Sequence, residues 1–222
     1  MNRYCLEISG DLACFTRPEM KVERVSYDVI PPSAARAVFE AILWKPAIRW
    51  HVRRIEVLKP VRFMNLRRNE VGSKVSTANV NKAMNGSDID LAIYADDPSE
   101  RAQRASLLLR DVAYRVHADL EVRADRNDPM PPQKHHAMFE RRAANGQWVN
   151  QPYLGCREFA ARVQLVTDPA REPAAIGDSR DLGWMLHDLD FSDPSDPQPQ
   201  FFHARMVDGV IECDAREAEM AR

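Results

Sequence analysis

One stretch of the chain alternates between apolar and polar side chains over twelve residues, from 111 to 122. The apolar face would hold Val112, Tyr114, Val116, Ala118, Leu120 and Val122, and the other face Asp111, Ala113, Arg115, His117, Asp119 and Glu121. Successive side chains of a strand point to opposite faces of a sheet, so this pattern predicts a half-buried strand. It is the clearest element of the sequence, and the fold has to be built around it.

Three weaker elements precede this strand. Residues 3–9 alternate as a strand does, and residues 33–44 carry the apolar stripe of a helix that Ser33 would cap and Pro46 would end. Residues 47–58 alternate again, but the phase changes near Arg53 and Arg54. A β-bulge at this point explains the change most simply.

Two elements follow the long strand. Residues 132–145 predict a helix with Met138, Phe139 and Ala143 directed inward, and residues 157–166 predict a fourth strand. The order strand, helix, strand, strand, helix, strand is that of the split βαβ, or ferredoxin-like, fold. The predicted class is therefore α+β, with an RRM-like βαββαβ domain.

The chain divides into two predicted domains. Residues 1–168 would form the ferredoxin-like domain, interrupted at about 59–103 by a long basic insertion with little periodicity. Residues 169–222 are rich in Pro and Asp around two short strand candidates, and Asp208-Gly209 is typical of a hairpin turn. We expect a small C-terminal antiparallel sheet there.

Composition narrows the class of protein. Of 222 residues, 45% are apolar, which is enough for a packed core, and no apolar run approaches the roughly 20 residues of a membrane-spanning helix. The first residues do not resemble a signal peptide. The four cysteines are scattered without a CxxC pair, which disfavours disulfides and a zinc site. We expect a cytoplasmic protein with reduced thiols and no metal.

The net charge of −2 hides an uneven distribution. Residues 45–82 hold ten Lys and Arg against two acids, whereas residues 167–222 hold five Arg against thirteen acids. A basic block that also carries Trp44, Trp50 and Phe63 is typical of phosphate-backbone binding, with aromatic rings available to stack on bases. The alternative is a solvated basic face paired with the acidic tail. Our candidate contacts to RNA are Lys45, Arg49, Arg62, Arg67, Arg68 and Lys74.

A compact set of reactive groups, Lys134, His135 and His136, follows Pro131-Pro132 at the start of the second predicted helix. An ammonium beside imidazoles can move protons and stabilise a negatively charged phosphorane without a metal. The ordinary alternative is a Lys-His pair on a solvated helix turn. Lys134 suits charge stabilisation, and His135 suits proton transfer.

Several short motifs occur in an order that resembles a known family. They are Leu6-Glu7-Ile8-Ser9-Gly10-Asp11, Cys14-Phe15-Thr16, Leu43-Trp44-Lys45-Pro46, Leu58-Lys59-Pro60, Arg110-Asp111-Val112-Ala113-Tyr114-Arg115-Val116 and Tyr153-Leu154-Gly155-Cys156-Arg157-Glu158. The ordered set resembles the CRISPR-associated precursor-RNA endoribonucleases of subtype I-C. These are the "d" variant of the fifth Cas family, in the repeat-associated mysterious protein superfamily.

This resemblance implies a ferredoxin-like RNA-binding domain with a small C-terminal sheet. It implies one cut at the base of the stem-loop in the CRISPR repeat, without a metal or other cofactor, leaving a 2′,3′-cyclic phosphate. The expected partners are the repeat RNA, the mature guide RNA, and the backbone and large subunits of the subtype I-C surveillance complex. The family's catalytic set is a Tyr with an adjacent Lys and His, and the pair matches Lys134 and His135.

The chain departs from the family at one catalytic position, because Leu43 stands where the tyrosine is expected. Leucine cannot transfer a proton, so another group has to supply that role or the role is lost. Tyr27, His51, His136 and Tyr153 are the open alternatives. Two other functions therefore stay open: a non-cleaving RNA-binding subunit of the same complex, and an unrelated ferredoxin-like enzyme or effector-binding module.

Overall fold

The computed structural model describes residues 3–126, 128–193 and 195–214, and the backbone of residues 220–221. These residues form a mixed α and β structure with antiparallel sheets and few helices. The strands are β1 Arg3–Ala13, β2 Ile48–Val57, β3 Phe63–Val71, β4 Arg101–Val122, β5 Arg162–Val166, β6 Arg180–Asp190, β7 Gln198–Met206, β8 Val210–Glu212 and β9 Met220–Ala221. The α-helices are α1 Pro32–Ile42, α2 Thr77–Met84 and α3 Pro132–Ala144.

Strand β4 organises the larger sheet, whose path runs β5, β1, β4, β2, β8. The second half of β4 pairs antiparallel with β1 on one side and β2 on the other, while its first half pairs with β3. The strand predicted over 111–122 is thus confirmed, and the observed strand starts ten residues earlier. Strands β6, β7 and β9 form a smaller antiparallel sheet.

Most other predicted elements are present with shifted ends. The bulge expected near Arg53 and Arg54 is confirmed, because the register of β2 against β4 shifts between Val52 and Arg54. Of the residues predicted as a strand over 157–166, only Arg162–Val166 form one. Ser33 does not cap α1: the helix begins one residue before it, at Pro32, whose missing N–H and fixed φ suit the first helical position.

The interpretation of residues 59–103 as an aperiodic insertion was wrong in part. They contain β3 and α2, and β3 forms a two-stranded ribbon with residues 101–109 of β4. The strand escaped prediction because both of its faces carry polar side chains, so no apolar period marks it. The strand is stabilised by its pairing with β4, which is longer than the sequence predicted.

Four aromatic rings attach α1 and α3 to one face of the larger sheet. Phe139 of α3 lies 4.6 Å from Trp50 of β2, 4.8 Å from Tyr4 of β1 and 5.9 Å from Phe39 of α1, between ring centroids. All four side chains are buried. Trp50 is therefore a core residue and cannot stack on a base, which corrects the expectation drawn from the basic block.

The other face of the larger sheet holds a buried network of charges. Glu56 of β2 accepts hydrogen bonds from Arg115 at 2.6 Å, and its other oxygen lies 2.7 Å from Nε2 of His117. Arg115 also donates to the carbonyl of Pro173, so the segment after β5 covers this face. Buried charges of this kind are tolerated because each has a partner. The part of this face around Glu56, Arg115 and His117 is therefore covered and does not form an open surface.

The C-terminal strands pack into the same core as the rest. The predicted hairpin is confirmed: Asp208 and Gly209 have φ values of 48° and 75°, and Val207 and Val210 pair across the turn. Two consecutive positive φ values match the type I′ turn that such sequences favour. Strand β8 then pairs with β2, which ties the C-terminal segment to the edge of the larger sheet. The division at residue 168 stays a prediction.

Phe139 tests the role of the aromatic cluster. We expect Phe139→Ala to lower the free energy of unfolding by about 3–5 kcal/mol, because it leaves a cavity where α3 meets the sheet. Phe191→Ala is the control, since 55% of that side chain is exposed, and it should cost no more than about 0.5 kcal/mol. Urea unfolding of the two variants measures the difference. Equal, small losses would contradict the assigned role of the cluster.

Candidate active site and RNA-facing surfaces

The predicted reactive turn lies at the first turn of α3. Pro131 precedes the helix with extended backbone, Pro132 opens it, and the backbone N–H of Lys134 donates to the carbonyl of Pro131 at 2.9 Å. Just before the helix, the carboxylate of Asp128 accepts the N–H of Met130 at 2.8 Å. The unpaired N–H groups of such a helix start favour an anion nearby.

The three side chains of this turn point in three directions. Lys134 is exposed, His136 is half-buried, and His135 is fully buried. His135 shares the inward stripe with Phe139 and Ala143, since residues four apart lie on one helix face. The predicted catalytic imidazole is therefore the buried one of the three side chains.

A single carboxylate approaches the buried imidazole. Nε2 of His135 lies 3.3 Å from Oδ2 of Asp128, but the pair is not aligned as a hydrogen bond, and neither ring nitrogen of His135 has a hydrogen-bond partner among the described residues. A buried imidazole without a partner is unfavourable in a purely structural role. It is therefore a candidate for a group whose partner arrives with a ligand.

His136 is held by two residues that the sequence did not single out. The hydroxyl oxygen of Tyr4 lies 2.8 Å from its Nδ1, and the same hydroxyl donates to Oε1 of Glu140 at 3.0 Å. Burial lowers the pKa of His136, and the negative charge of Glu140 opposes that shift only in part. The sequence placed Tyr4 only within the strand predicted over residues 3–9, because its contacts with α3 cross more than 130 residues.

Leu43 is buried at the C-terminal end of α1, where its carbonyl accepts the indole N–H of Trp50 at 3.0 Å. The ring of Trp50 lies 6.0 Å from that of Tyr4. Position 43, where the resemblance led us to expect a tyrosine, is therefore connected through Trp50 to the hydroxyl that holds His136.

The four residues that could replace the missing tyrosine lie in different places. His51 points to the opposite face of the sheet from the helices and pairs there with Glu121 at 2.6 Å. Tyr27 is buried with its ring under Arg17. Tyr153 is exposed in the segment after α3, and His136 lies in the reactive turn itself.

The predicted RNA contacts fall into two groups. Lys45 lies in the connection between α1 and β2, and Arg49 lies at the start of β2. Arg62, Arg67, Arg68 and Lys74 lie on or beside strand β3. Arg68 donates to the carboxylate of Glu158, whereas the other five form no ion pair with a described residue. The acidic tail does neutralise part of the basic block, since Arg53 pairs with Asp214 and Arg54 with Glu212.

The ribbon presents more cations than the sequence block suggested. Cross-strand register places Arg68 opposite Arg104 and Val71 opposite Arg101, so β4 contributes positive charge from outside the 45–82 segment. The outward side chains of β3 are Phe63, Asn65, Arg67, Asn69 and Val71. Only strand pairing reveals this surface, which combines guanidinium and amide groups.

A groove of about 1000 Å³ lies between α1 and residues 149–157. Trp44, which is 57% exposed, lines it together with Tyr153 and Arg157. Exposed aromatic rings beside a guanidinium are groups on which unpaired bases stack. Trp44 therefore fits the stacking role expected from the sequence, and so does Phe63 on the ribbon.

Within residues 3–126, 128–193 and 195–214, no three His, Cys, Asp or Glu side chains are grouped so that they could hold a metal ion. None of the described helices is long and apolar enough to cross a membrane.

The sequence matches a family described as CRISPR-associated protein (Cas_Cas5), of the Cas5d type, over residues 4–214. Two similar relatives are both named CRISPR pre-crRNA endoribonuclease Cas5d. The protein of Mannheimia succiniciproducens is 48% identical, with 98% of this chain and 97% of the relative covered. The protein of Thermus thermophilus is 42% identical, with 98% and 93% covered.

Solved structures share the fold at lower identity. A crystal structure of a CRISPR-associated protein is 23% identical with a TM-score of 0.70, covering 100% of this chain and 97% of that one. A chain of a CRISPR RNA-guided surveillance complex is 13% identical with a TM-score of 0.53, covering 99% and 89%. At these identities the likeness is one of fold.

Fold and sequence together define the class as a CRISPR-associated protein of the Cas5 type. More narrowly, the chain belongs to the Cas5d family, because the family match spans nearly all of it and the relatives exceed 40% identity over its length. The resemblance predicted from the ordered motifs is confirmed.

The environment of His136 predicts its titration. We expect its pKa to lie below the ordinary value of about 6.5, because burial disfavours the charged ring. The ring is then neutral at pH 7, and this site loses folding stability as pH falls below 6.5, where the unfolded chain binds the proton first. NMR titration of the imidazole signals, assigned with His136→Gln, tests this. A midpoint at or above 6.5 would contradict it.

Proposed function

We propose that the protein cuts the repeats of precursor CRISPR RNA and remains bound to the guide RNA that results. The observation that carries this proposal is the Lys134-His135-His136 turn at the start of α3, in a chain of the Cas5d family. It is supported by the names of the two relatives, which are both pre-crRNA endoribonucleases. The residues of the turn suit the transfer of protons and the stabilisation of phosphate charge.

The proposed reaction uses the RNA's own 2′-hydroxyl as the nucleophile. It attacks the adjacent phosphorus, the bond from phosphorus to the 5′-oxygen breaks, and a 2′,3′-cyclic phosphate forms. One group must remove a proton from the 2′-hydroxyl and another must protonate the leaving oxygen. Lys134, exposed beside the helix start, would stabilise the charge on the non-bridging oxygens.

We propose His135 as a catalytic imidazole. Because its side chain is buried, it has to be exposed before it can act on RNA. The Asp128 carboxylate, 3.3 Å from Nε2, occupies the approach to the ring. We propose that a phosphate held by Lys134 and the helix start displaces Asp128 and exposes the imidazole. Substrate binding would then complete the site, as in other enzymes that close or open a segment around their ligand.

The fold is proposed to be ferredoxin-like in its details. In support, the order β5, β1, β4, β2 with α1 and α3 on one face is the arrangement expected for a βαββαβ domain. Residues 1–168 would form this RNA-binding and catalytic domain and residues 169–222 its small β appendage. The proposed protein partners are the backbone and large subunits of the subtype I-C complex, in the cytoplasm.

Two surfaces are proposed to hold RNA. The stem would lie on the ribbon, because duplex RNA is recognised mostly through its phosphates and shape. Arg62, Arg67 and Lys74 are exposed there and form no ion pair with a described residue. Unpaired nucleotides beside the stem would enter the groove of Trp44 and Tyr153. Lys45 and Arg49 would contact the backbone between these surfaces, and Arg68 would do so only after leaving Glu158.

A second candidate function is a non-cleaving subunit of the same complex. Leu43 and the enclosed His135 favour it, because both reduce the number of proton-transfer groups that face solvent. It shares the RNA-binding surfaces with the first function and differs only at α3.

Cleavage without metal separates the two functions. With its cognate repeat RNA in EDTA, the wild-type protein should cut once, and Lys134→Ala or His135→Ala should slow cleavage by about 10²–10⁴-fold, the usual contribution of such groups. Lys21→Ala, an exposed lysine away from the turn, should keep the wild-type rate. Binding without cutting would support the scaffold instead, and cleavage that survives both changes would contradict the assigned pair.

The salt dependence of binding tests the ribbon. Arg67→Gln with Lys74→Gln should weaken RNA binding across sequences and reduce the slope of log K against log salt by about 0.7–0.9 for each lost phosphate contact. Arg205→Gln, on the smaller sheet, is the matched control and should leave the slope unchanged. Fluorescence anisotropy at several salt concentrations gives the slopes. A slope unaffected in the double variant would remove the ribbon from the RNA interface.

A further inference from the structure

The contact between Tyr4, His136 and Glu140 fixes where the protons lie. A carboxylate can only accept hydrogen bonds, so the single hydroxyl proton of Tyr4 is directed to Oε1 of Glu140, 3.0 Å away. Toward His136 the hydroxyl oxygen then acts as the acceptor, and Nδ1 donates to it at 2.8 Å. This arrangement places the imidazole proton on Nδ1 and leaves a lone pair on Nε2.

Such a ring is ready to take a proton at Nε2. No described residue forms a hydrogen bond with that nitrogen, and the ring is neutral near pH 7 because burial lowers its pKa. A histidine whose second nitrogen is fixed by a neighbour has a defined tautomer and orientation. The same helix turn carries exposed Lys134, two residues before His136.

The proposed reaction needs a base and an acid, and His135 can fill only one of these roles. We propose that His136 is the catalytic base and that Tyr4 and Glu140 are positioning residues that hold its tautomer. This inference rests on the proposed endoribonuclease function and adds a residue to it. His136 would accept the proton without any contribution from the residue at position 43.

The proton balance of the step is simple. Nε2 of His136 takes the proton of the 2′-hydroxyl as the 2′-oxygen bonds to phosphorus. The bond from phosphorus to the 5′-oxygen breaks, and that oxygen takes a proton from His135. Exchange with water then returns both imidazoles to their starting states. Tyr4 keeps its proton throughout, shared with Glu140.

The aromatic contacts of Tyr4 are made by its ring and do not need its hydroxyl. The Tyr4 ring contacts Trp50 and Phe139, and a phenylalanine would make the same apolar contacts. Tyr4→Phe therefore removes the hydrogen bond to His136 and keeps the core. Tyr114→Phe is a matched control, because Tyr114 is a second buried tyrosine of the same sheet whose hydroxyl bonds to the backbone of Ile30.

The test measures single-turnover cleavage of the repeat RNA in EDTA and, separately, the affinity for a repeat with a 2′-deoxy nucleotide at the cut. We expect Tyr4→Phe to slow cleavage at least tenfold and His136→Ala at least a hundredfold, both with unchanged affinity. Tyr114→Phe should cut at the wild-type rate. Added imidazole should restore part of the activity of His136→Ala, which a purely structural defect would not allow.

Two failures are distinguishable. If the wild-type protein does not cut the repeat, the proposed function itself fails. If the wild type cuts and Lys134→Ala does not, while Tyr4→Phe and His136→Ala keep the full rate, the endoribonuclease stands and the role of His136 is overturned. Loss of activity in His136→Ala that imidazole does not restore, with Tyr4→Phe still fully active, would likewise overturn it.

Discussion

The packing of Phe139 against Trp50, Tyr4 and Phe39 is the interaction on which the rest of the structure depends. It joins β1, β2, α1 and α3 in one apolar contact. The same contact fixes the rotation of α3, so that His135 faces inward, Lys134 faces outward and His136 meets Tyr4. The chemistry proposed for the first turn of α3 is thus a consequence of how one aromatic side chain is buried.

The sequence predicted those parts of the fold whose signal is local. The alternation around Tyr114, the bulge at Arg53 and the turn at Asp208 each arise from neighbouring residues, and each is present. Strand β3 was missed because it is polar on both faces and exists by pairing with β4. Residue types alone singled out Lys134, His135 and His136 as a candidate site, but the contact between Tyr4 and His136 was not predicted, since the two residues are far apart in the chain.

The charge distribution was also predicted only in part, because the sequence does not show which cations are paired in the fold. The excess of Lys and Arg in residues 45–82 is visible in the sequence. In the structure some of these cations are paired: arginines of β2 with the C-terminal segment, Lys59 with Asp111 and Arg68 with Glu158. Others face solvent on the ribbon and beside α1. Only the exposed cations can release counterions from RNA, so the surface that matters is smaller than the block.

The central claim is that side chains of the α3 turn activate the RNA's own 2′-hydroxyl. The chemical ends of the product test it most directly. Mass spectrometry of the upstream fragment, after cleavage in EDTA, should find a 2′,3′-cyclic phosphate, with a 5′-hydroxyl on the downstream fragment. A 3′-hydroxyl upstream with a 5′-phosphate downstream would show that water attacked instead, and would contradict the account.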